Sequence, residues 1–224
     1  MIKAVVFDLD DTLISEKQYI RSGFKVVSNK ISNDYNLDSE KVFKKMLELF
    51  NESSKEVFNR ILDSFDIKYS KEYILELIKI YREHIPDIDF YEDVIPTITE
   101  LRNKGFKLGI ITDGYKETQI RKIEVLNCNR LFDEIIITDE LGREFWKPHE
   151  KSYRLMAERL SIYLEEMIYI GDNLQKDFVT ANKIGIETVR IGREDSIYSK
   201  KDIAIDYLAK YEIDSLDFLV EYLE

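Results

Sequence analysis

Ile2-Lys3-Ala4-Val5-Val6-Phe7-Asp8-Leu9-Asp10-Asp11-Thr12 opens a chain of 224 residues with a short apolar run that ends abruptly on acid. Such a run, with few polar breaks, reads as a strand buried on both faces, the habit of parallel sheets. The same pattern returns at residues 108–112, 135–138, 168–170 and 188–191. Helical spacing fills the intervals at roughly 93–104, 116–126, 149–161 and 175–184, and a closing helix is expected over 215–223. Asn103-Lys104-Gly105 and Lys183-Ile184-Gly185 read as helix ends with glycine in the left-handed position. Strand alternating with helix predicts an α/β fold, a Rossmann-like doubly wound parallel sheet covered on both faces.

One long stretch departs from that rhythm. No glycine occurs between Gly23 and Gly105, and apolar residues recur at helical spacing over 42–50, 57–65 and 74–81. Pro86 and Asp87-Ile88-Asp89 read as a linker. Residues 15–90 are therefore expected to form an all-helical insertion, with 1–14 and 91–224 forming the sheet core. The length fits, being more than one typical domain and less than two.

Composition narrows the function classes. Lys and Arg number 33 against 44 Asp and Glu, a net charge of −11, and apolar residues make up 44%. That is a globular mixture, and its acidity argues against a nucleic-acid backbone as partner. The single Cys128 excludes an internal disulfide, and one Cys with two His gives no zinc pattern. The first apolar run is too short for a secretory signal, and no run approaches the ~18 residues of a membrane span. A cytoplasmic protein with no membrane partner is the expectation; monomer and homodimer stay open.

In parallel sheets the binding crevice lies at the carboxyl ends of the strands. The polar irregularities of this chain fall there: Asp8, Asp10 and Asp11 after the first strand, Thr112-Asp113-Gly114 after the second, and Gly171-Asp172 with Asp177 after the fourth. Lys147-Pro148 precedes the helix that follows the third. Carboxylates gathered at one rim repel unless a cation sits among them. Hard oxygen donors without Cys or His favour Mg²⁺ over zinc or copper.

Asp8-Leu9-Asp10-Asp11-Thr12-Leu13 resembles the first motif of the haloacid dehalogenase-like hydrolase superfamily. Thr112, Lys147-Pro148 and Gly171-Asp172 with Asp177 resemble its second, third and fourth motifs in order, and residues 15–90 stand where that family inserts a helical cap. The resemblance covers essentially the whole chain. It implies Asp8 as nucleophile, forming an aspartyl-phosphate, and Asp10 as the acid that protonates the leaving alcohol and then deprotonates water. It implies Mg²⁺ held by Asp8, Asp172 and the Asp10 backbone carbonyl. Thr112 and Lys147, with the backbone N–H groups of Asp113 and Gly114, would hold the phosphoryl oxygens, and Asp177 would support Lys147 or the metal. The function implied is a Mg²⁺-dependent phosphatase of a small phosphorylated metabolite, of the sugar phosphate or nucleoside monophosphate class.

Related chemistries compete. A phosphosugar mutase shares the aspartyl-phosphate; a dehalogenase needs no acid at the position of Asp10; a phosphonate hydrolase would need a cap lysine, and nothing singles one out among Lys17, Lys25 and Lys55. A non-catalytic phospho-acceptor of the signalling receiver type would also carry Asp, Thr and Lys on a parallel sheet, without a helical insertion of this size. Glu16, Lys17, Tyr19, Lys55 and Arg60 are candidates for choosing the leaving group. Asp11 reads as a turn or capping residue, His149 as solvent-facing, and Cys128 and Trp146 as packing residues. The 15–90 segment holds 13 basic and 14 acidic side chains, leaving 20 and 30 in the rest, so the core carries nearly all the acidity.

Overall fold

The computed structural model describes residues 1–196 and 204–223. In chain order, β1 (Ala4–Phe7) is followed by four helices, α1 (Glu16–Tyr35), α2 (Ser39–Glu52), α3 (Val57–Ser64) and α4 (Lys71–Glu83). The alternating part then runs α5 (Val94–Asn103), β2 (Lys107–Thr112), α6 (Lys116–Val125), α7 (Cys128–Leu131), β3 (Glu134–Ile137), α8 (Lys151–Arg159) and β4 (Met167–Gly171). It closes with α9 (Val179–Lys183), β5 (Glu187–Ile191), β6 (Tyr211–Ile213) and α10 (Asp217–Tyr222). No described helix is long and apolar enough to cross a membrane.

The strands form one six-stranded parallel sheet in the order β3-β2-β1-β4-β5-β6. All four residues of β1 are fully buried, which explains its unbroken apolar sequence. An apolar set including Ala4, Val6, Ile111, Tyr153, Met156 and Tyr169 packs helices against the sheet. Register then positions the rim. Phe7 pairs with Ile110 of β2 and with Ile170 of β4. Asp8 therefore lies one residue past β1, while Thr112 and Asp172 lie two residues past those pairings on the flanking strands. Neighbouring strands are about 4.8 Å apart, so pairing sets these three residues along one rim of the sheet.

The chain divides into two compact units, Met1–Lys17 with Ile88–Glu224, and Gln18–Asp87. The first keeps both flanks of the insertion, because Ile14 bridges to Phe90 and the Tyr91 N–H donates to the Leu13 carbonyl at 3.0 Å. The second is helical and has its own apolar cluster, including Phe24, Val27, Ile31, Met46, Ile61 and Leu77. Two of its helices, α2 and α4, begin on side-chain caps: Asp38 accepts the Lys41 N–H at 2.9 Å and Ser70 the Tyr73 N–H at 3.3 Å.

Three departures from the sequence reading have local causes. β6 was not expected; it is a three-residue edge strand, mostly exposed, with too few residues to show alternation. The helix expected over 175–184 is confined to Val179–Lys183, because the chain before it folds around the Asp177 carboxylate. The helix expected over 149–161 starts at Lys151, after two short 3₁₀ turns. Gly105 and Gly185 do take positive φ, both 87°, at helix ends.

Candidate active site

The buried lysine is the centre of the site. The Lys147 side chain is wholly inaccessible, and its Nζ lies 3.0 Å from Asp8 Oδ1 and 2.8 Å from Asp177 Oδ1. It also donates to the Tyr169 hydroxyl at 2.8 Å. Burial alone would lower its pKa, but Asp177 and Asp8 outweigh that and hold it well above the usual lysine range. Lys147 is thus a permanent cation, matched by two carboxylates. Asp177 is fixed in turn by the Asn173 N–H, 2.9 Å from its Oδ2, and by Tyr153, whose hydroxyl donates to the Asp177 carbonyl at 2.8 Å. Gly171 is needed for this approach: a Cβ there would lie 2.6 Å from Asp177 Oδ2.

Asp8 accepts the Leu9 N–H at 2.8 Å besides the Lys147 contact. Burial raises its pKa to about 6, with Lys147 opposing. Asp172 is raised further, to about 9, first by burial and then by the charges of Asp177, Asp8 and Asp11. Oxygens of Asp8, Asp172 and Asp177 lie within 4.8 Å of one another. Among the described residues Asp172 forms no ion pair, while Asp8 and Asp177 share Lys147. A buried carboxylate in a carboxylate cluster, with no cation of its own, fits a hard divalent ion. The Asp10 carboxylate stands outside that cluster.

Asp113 organises the loop. Its Oδ1 accepts the Thr138 hydroxyl at 2.7 Å and the Lys147 N–H at 3.1 Å, and its Oδ2 lies 3.3 Å from Lys176 Nζ. Burial pushes its pKa up, but Lys147 and Lys176 outweigh this and lower it, so Asp113 is ionised at neutral pH. The side chain is thereby committed to holding Thr138, Lys147 and Lys176 in place. Thr112 is fully buried, and its Oγ1 accepts from Gln119 Nε2 at 2.5 Å.

The structure brings Asp8, Thr112, Asp113, Lys147, Asp172 and Asp177 together at the carboxyl ends of β1, β2 and β4. Sequence reasoning missed Gln119, Lys122, Lys176 and Tyr169. Tyr169 sits inside an apolar strand run and reads as core; the lysines and the glutamine sit in polar stretches and read as solvent-facing. The available signal was α6, whose inward residues are Thr118, Gln119, Lys122 and Ile123, a mostly polar buried face. Asp11 caps the start of α1 by accepting the Glu16 N–H at 2.9 Å, His149 is exposed, and Cys128 is buried. The Trp146 ring packs edge-on to Tyr115 at 6.2 Å.

Known proteins resemble this chain over most or all of its length. Glyceraldehyde 3-phosphate phosphatase of Methanocaldococcus jannaschii is 29% identical over 229 residues, covering 100% of this chain and 98% of its own. The enzyme of the same name from Methanopyrus kandleri is 32% identical over 202 residues, 86% of this chain and 85% of its own. A crystal structure of a haloacid dehalogenase-like phosphatase from Thermococcus onnurineus superposes with a TM-score of 0.64 at 28% identity, over 99% of this chain and 98% of that one. The family model for haloacid dehalogenase-like hydrolases matches residues 5–191, from the first buried strand through β5, and the chain belongs to that family.

Proposed function

We propose that this protein is a Mg²⁺-dependent phosphatase that hydrolyses a small phosphorylated metabolite through a phosphorylated Asp8. The observation that carries the reading is the 3.0 Å contact of Lys147 with Asp8, beside a carboxylate cluster whose Asp172 forms no ion pair among the described residues. Lys147 and Thr112 hold the phosphoryl oxygens, with the backbone N–H groups of Asp113 and Gly114 as further donors. An Asp8 oxygen attacks phosphorus while the ester P–O bond breaks, and its electron pair leaves on the alcohol oxygen, which takes a proton from Asp10. Asp10 then removes a proton from water, whose oxygen attacks phosphorus and releases phosphate and Asp8. A Mg²⁺ bound by Asp8, Asp172 and the Asp10 carbonyl would neutralise the charge of nucleophile and phosphate. Asp177 keeps Lys147 aimed at Asp8. The helical unit Gln18–Asp87 serves as the cap that selects the leaving group.

The names of the relatives make three-carbon sugar phosphates the first substrates to test, beside other sugar phosphates and nucleoside monophosphates. Purified protein with Mg²⁺ is expected to turn over at least one such ester, with EDTA abolishing and Mg²⁺ restoring the rate. Asp8→Asn is expected to lower kcat by ~10⁴-fold or more with an unchanged circular dichroism spectrum. Turnover by Asp8→Asn at the parent rate would overturn the reading.

A further inference from the structure

Asp10 is held by side chains that no motif contains. Its Oδ1 lies 2.6 Å from Lys122 Nζ, and its Oδ2 accepts from Gln119 Nε2 at 3.0 Å. Gln119 and Lys122 are three residues apart on α6, so both project from one face of the helix. Each is 1% exposed. The same Gln119 nitrogen donates to Thr112 Oγ1 at 2.5 Å, and the Lys122 ammonium also reaches Glu16 Oε2 at 2.6 Å. An amide nitrogen has two donors, and here one goes to Asp10 and the other to the phosphate-holding threonine.

Helix packing does not call for these residues. Burying an ammonium or an amide is unfavourable by several kcal/mol unless it is fully paired, roughly, and apolar side chains would cover the same surface without that penalty. Their polar ends go instead to Asp10, Thr112 and Glu16. Two consequences follow. With both oxygens bound, the Asp10 carboxyl group is fixed in plane and rotamer, although 22% of its side chain is exposed. Thr112 accepts from Gln119 and gives its own proton to the Asp113 carbonyl in a long bond of 3.5 Å, which a closer acceptor would replace. A donor is the polarity that a phosphoryl oxygen requires.

We propose that Gln119 and Lys122 are positioning residues that hold the Asp10 carboxyl in register with the phosphoryl group bound at Thr112. The proposal rests on the phosphatase reading. Proton transfer to the leaving oxygen depends steeply on such placement, and positioned acid–base groups contribute about 10²–10⁴-fold. During attack by Asp8 the ester P–O bond breaks, its electron pair goes to the alcohol oxygen, and Asp10, entering this step protonated, gives its proton there; it becomes the carboxylate that Lys122 and Gln119 hold for the water step, in which it takes a proton back. An alkoxide needs that proton; p-nitrophenolate does not.

The test compares kcat/KM, which covers the steps up to departure of the leaving group, for an alkyl phosphate and for p-nitrophenyl phosphate. Lys122→Met is expected to lower kcat/KM about 10²-fold for the alkyl ester and less than about 10-fold for the aryl ester. Lys122→Arg, which keeps the charge and donors, is expected to recover most of the loss. In an Asp10→Asn background, assayed with the aryl ester, Lys122→Met is expected to add no more than about 2-fold, because the partner it acts through is gone. Equal losses on both esters, or an undiminished loss in the Asp10→Asn background, would overturn the proposal. Should Lys122→Met fail to fold, Gln119→Met carries the same comparison, since it removes a neutral amide. Asp8→Asn separates the two readings: if it is inactive while Lys122→Met and Gln119→Met show no leaving-group dependence, the positioning proposal alone fails.

Discussion

Asp172 carries the sharpest conflict between stability and function in the molecule. It is buried beside Asp177, Asp8 and Asp11, and its pKa rises to about 9. A carboxyl raised in the folded state contributes most to stability below its unfolded pKa, and that contribution is lost as pH rises through the folded value. For Asp172 the loss runs from about pH 4 to pH 9, and for Asp8 it continues only to about pH 6. Metal-free protein is therefore under strain at neutral and alkaline pH, and the neutral variant Asp172→Asn should relieve it. Its metal-free Tm at pH 8 is expected to exceed the parent value by 2 °C or more, since about 1 kcal/mol moves Tm by ~2–4 °C in a chain of this size. Phosphatase activity is expected to fall at the same time. Protons compete with a metal for the same oxygens, so the Tm gain from a fixed Mg²⁺ concentration is expected to be larger at pH 8.5 than at pH 6. Scanning fluorimetry reads both, and a Mg²⁺ effect that ignores pH would remove Asp172 from the ligand set. Asp172 was legible in the sequence because it ends an apolar run, and Lys147 because Lys147-Pro148 resembles the family's third motif. Lys122 and Gln119 were not, because a polar residue on an amphipathic helix is indistinguishable from a solvated one until its face is known to be buried.

Elements were legible in proportion to their burial and length. β1, β2 and β4 lie inside the sheet and show as apolar runs, as does the edge strand β3, while β5 shows as Val189 and Ile191 on either side of Arg190; β6 is short, at an edge and mostly exposed, and left no mark. α9 was overdrawn because residues 175–178, polar and apolar in helical order, serve the Asp177 turn instead. Within the helical unit, one position tests how tightly α1 meets α4. A Cβ on Gly23 would lie 2.5 Å from Tyr81 Cδ2 and Cε2, and 3.2 Å from His84 Cε1. The Tyr81 ring cannot easily yield, because it packs against Tyr19, Phe24, Phe58 and His84 at centroid distances of 5.4, 5.9, 5.7 and 6.1 Å. In an open helix Gly→Ala stabilises by about 0.5–1 kcal/mol. Overpacking costs about 1–3 kcal/mol. Gly23→Ala is therefore expected to lower the thermal stability of the helical unit, and a Tm at or above the parent value would show that the ring stack is looser than its geometry.

At the scale of the whole chain, two cores share one polypeptide but not one chemistry. The apolar clusters of the sheet unit and of the helical unit have no residue in common. The insertion was legible as a change of period and a loss of glycine. The helical unit begins at Gln18 and ends at Asp87; beyond it Phe90 bridges to Ile14, while Ser15 and Glu16 reach the sheet unit through their side chains, to Asp195 and Lys122, ties that no apolar pattern encodes. The charge is divided in the same way, since the insertion is close to neutral and the acidity lies with the sheet. Asp8, Asp172 and Asp177 all belong to the sheet unit, so a divalent ion has no ligand of this cluster in the helical unit. Ligand binding stabilises only the cooperative unit that binds, by RT ln(1 + [L]/Kd), about 2.7 kcal/mol at a hundredfold excess over Kd. Two cores of this kind depart from two-state unfolding. Calorimetry is expected to resolve two components, the smaller from the 70 residues of Gln18–Asp87, which as a small helical unit has the lower stability reserve. Raising Mg²⁺ should move the larger component upward and leave the smaller where it is, while Gly23→Ala should do the reverse, lowering the smaller and sparing the larger. A single transition that moves as one under both perturbations would mean that the units unfold as one cooperative body.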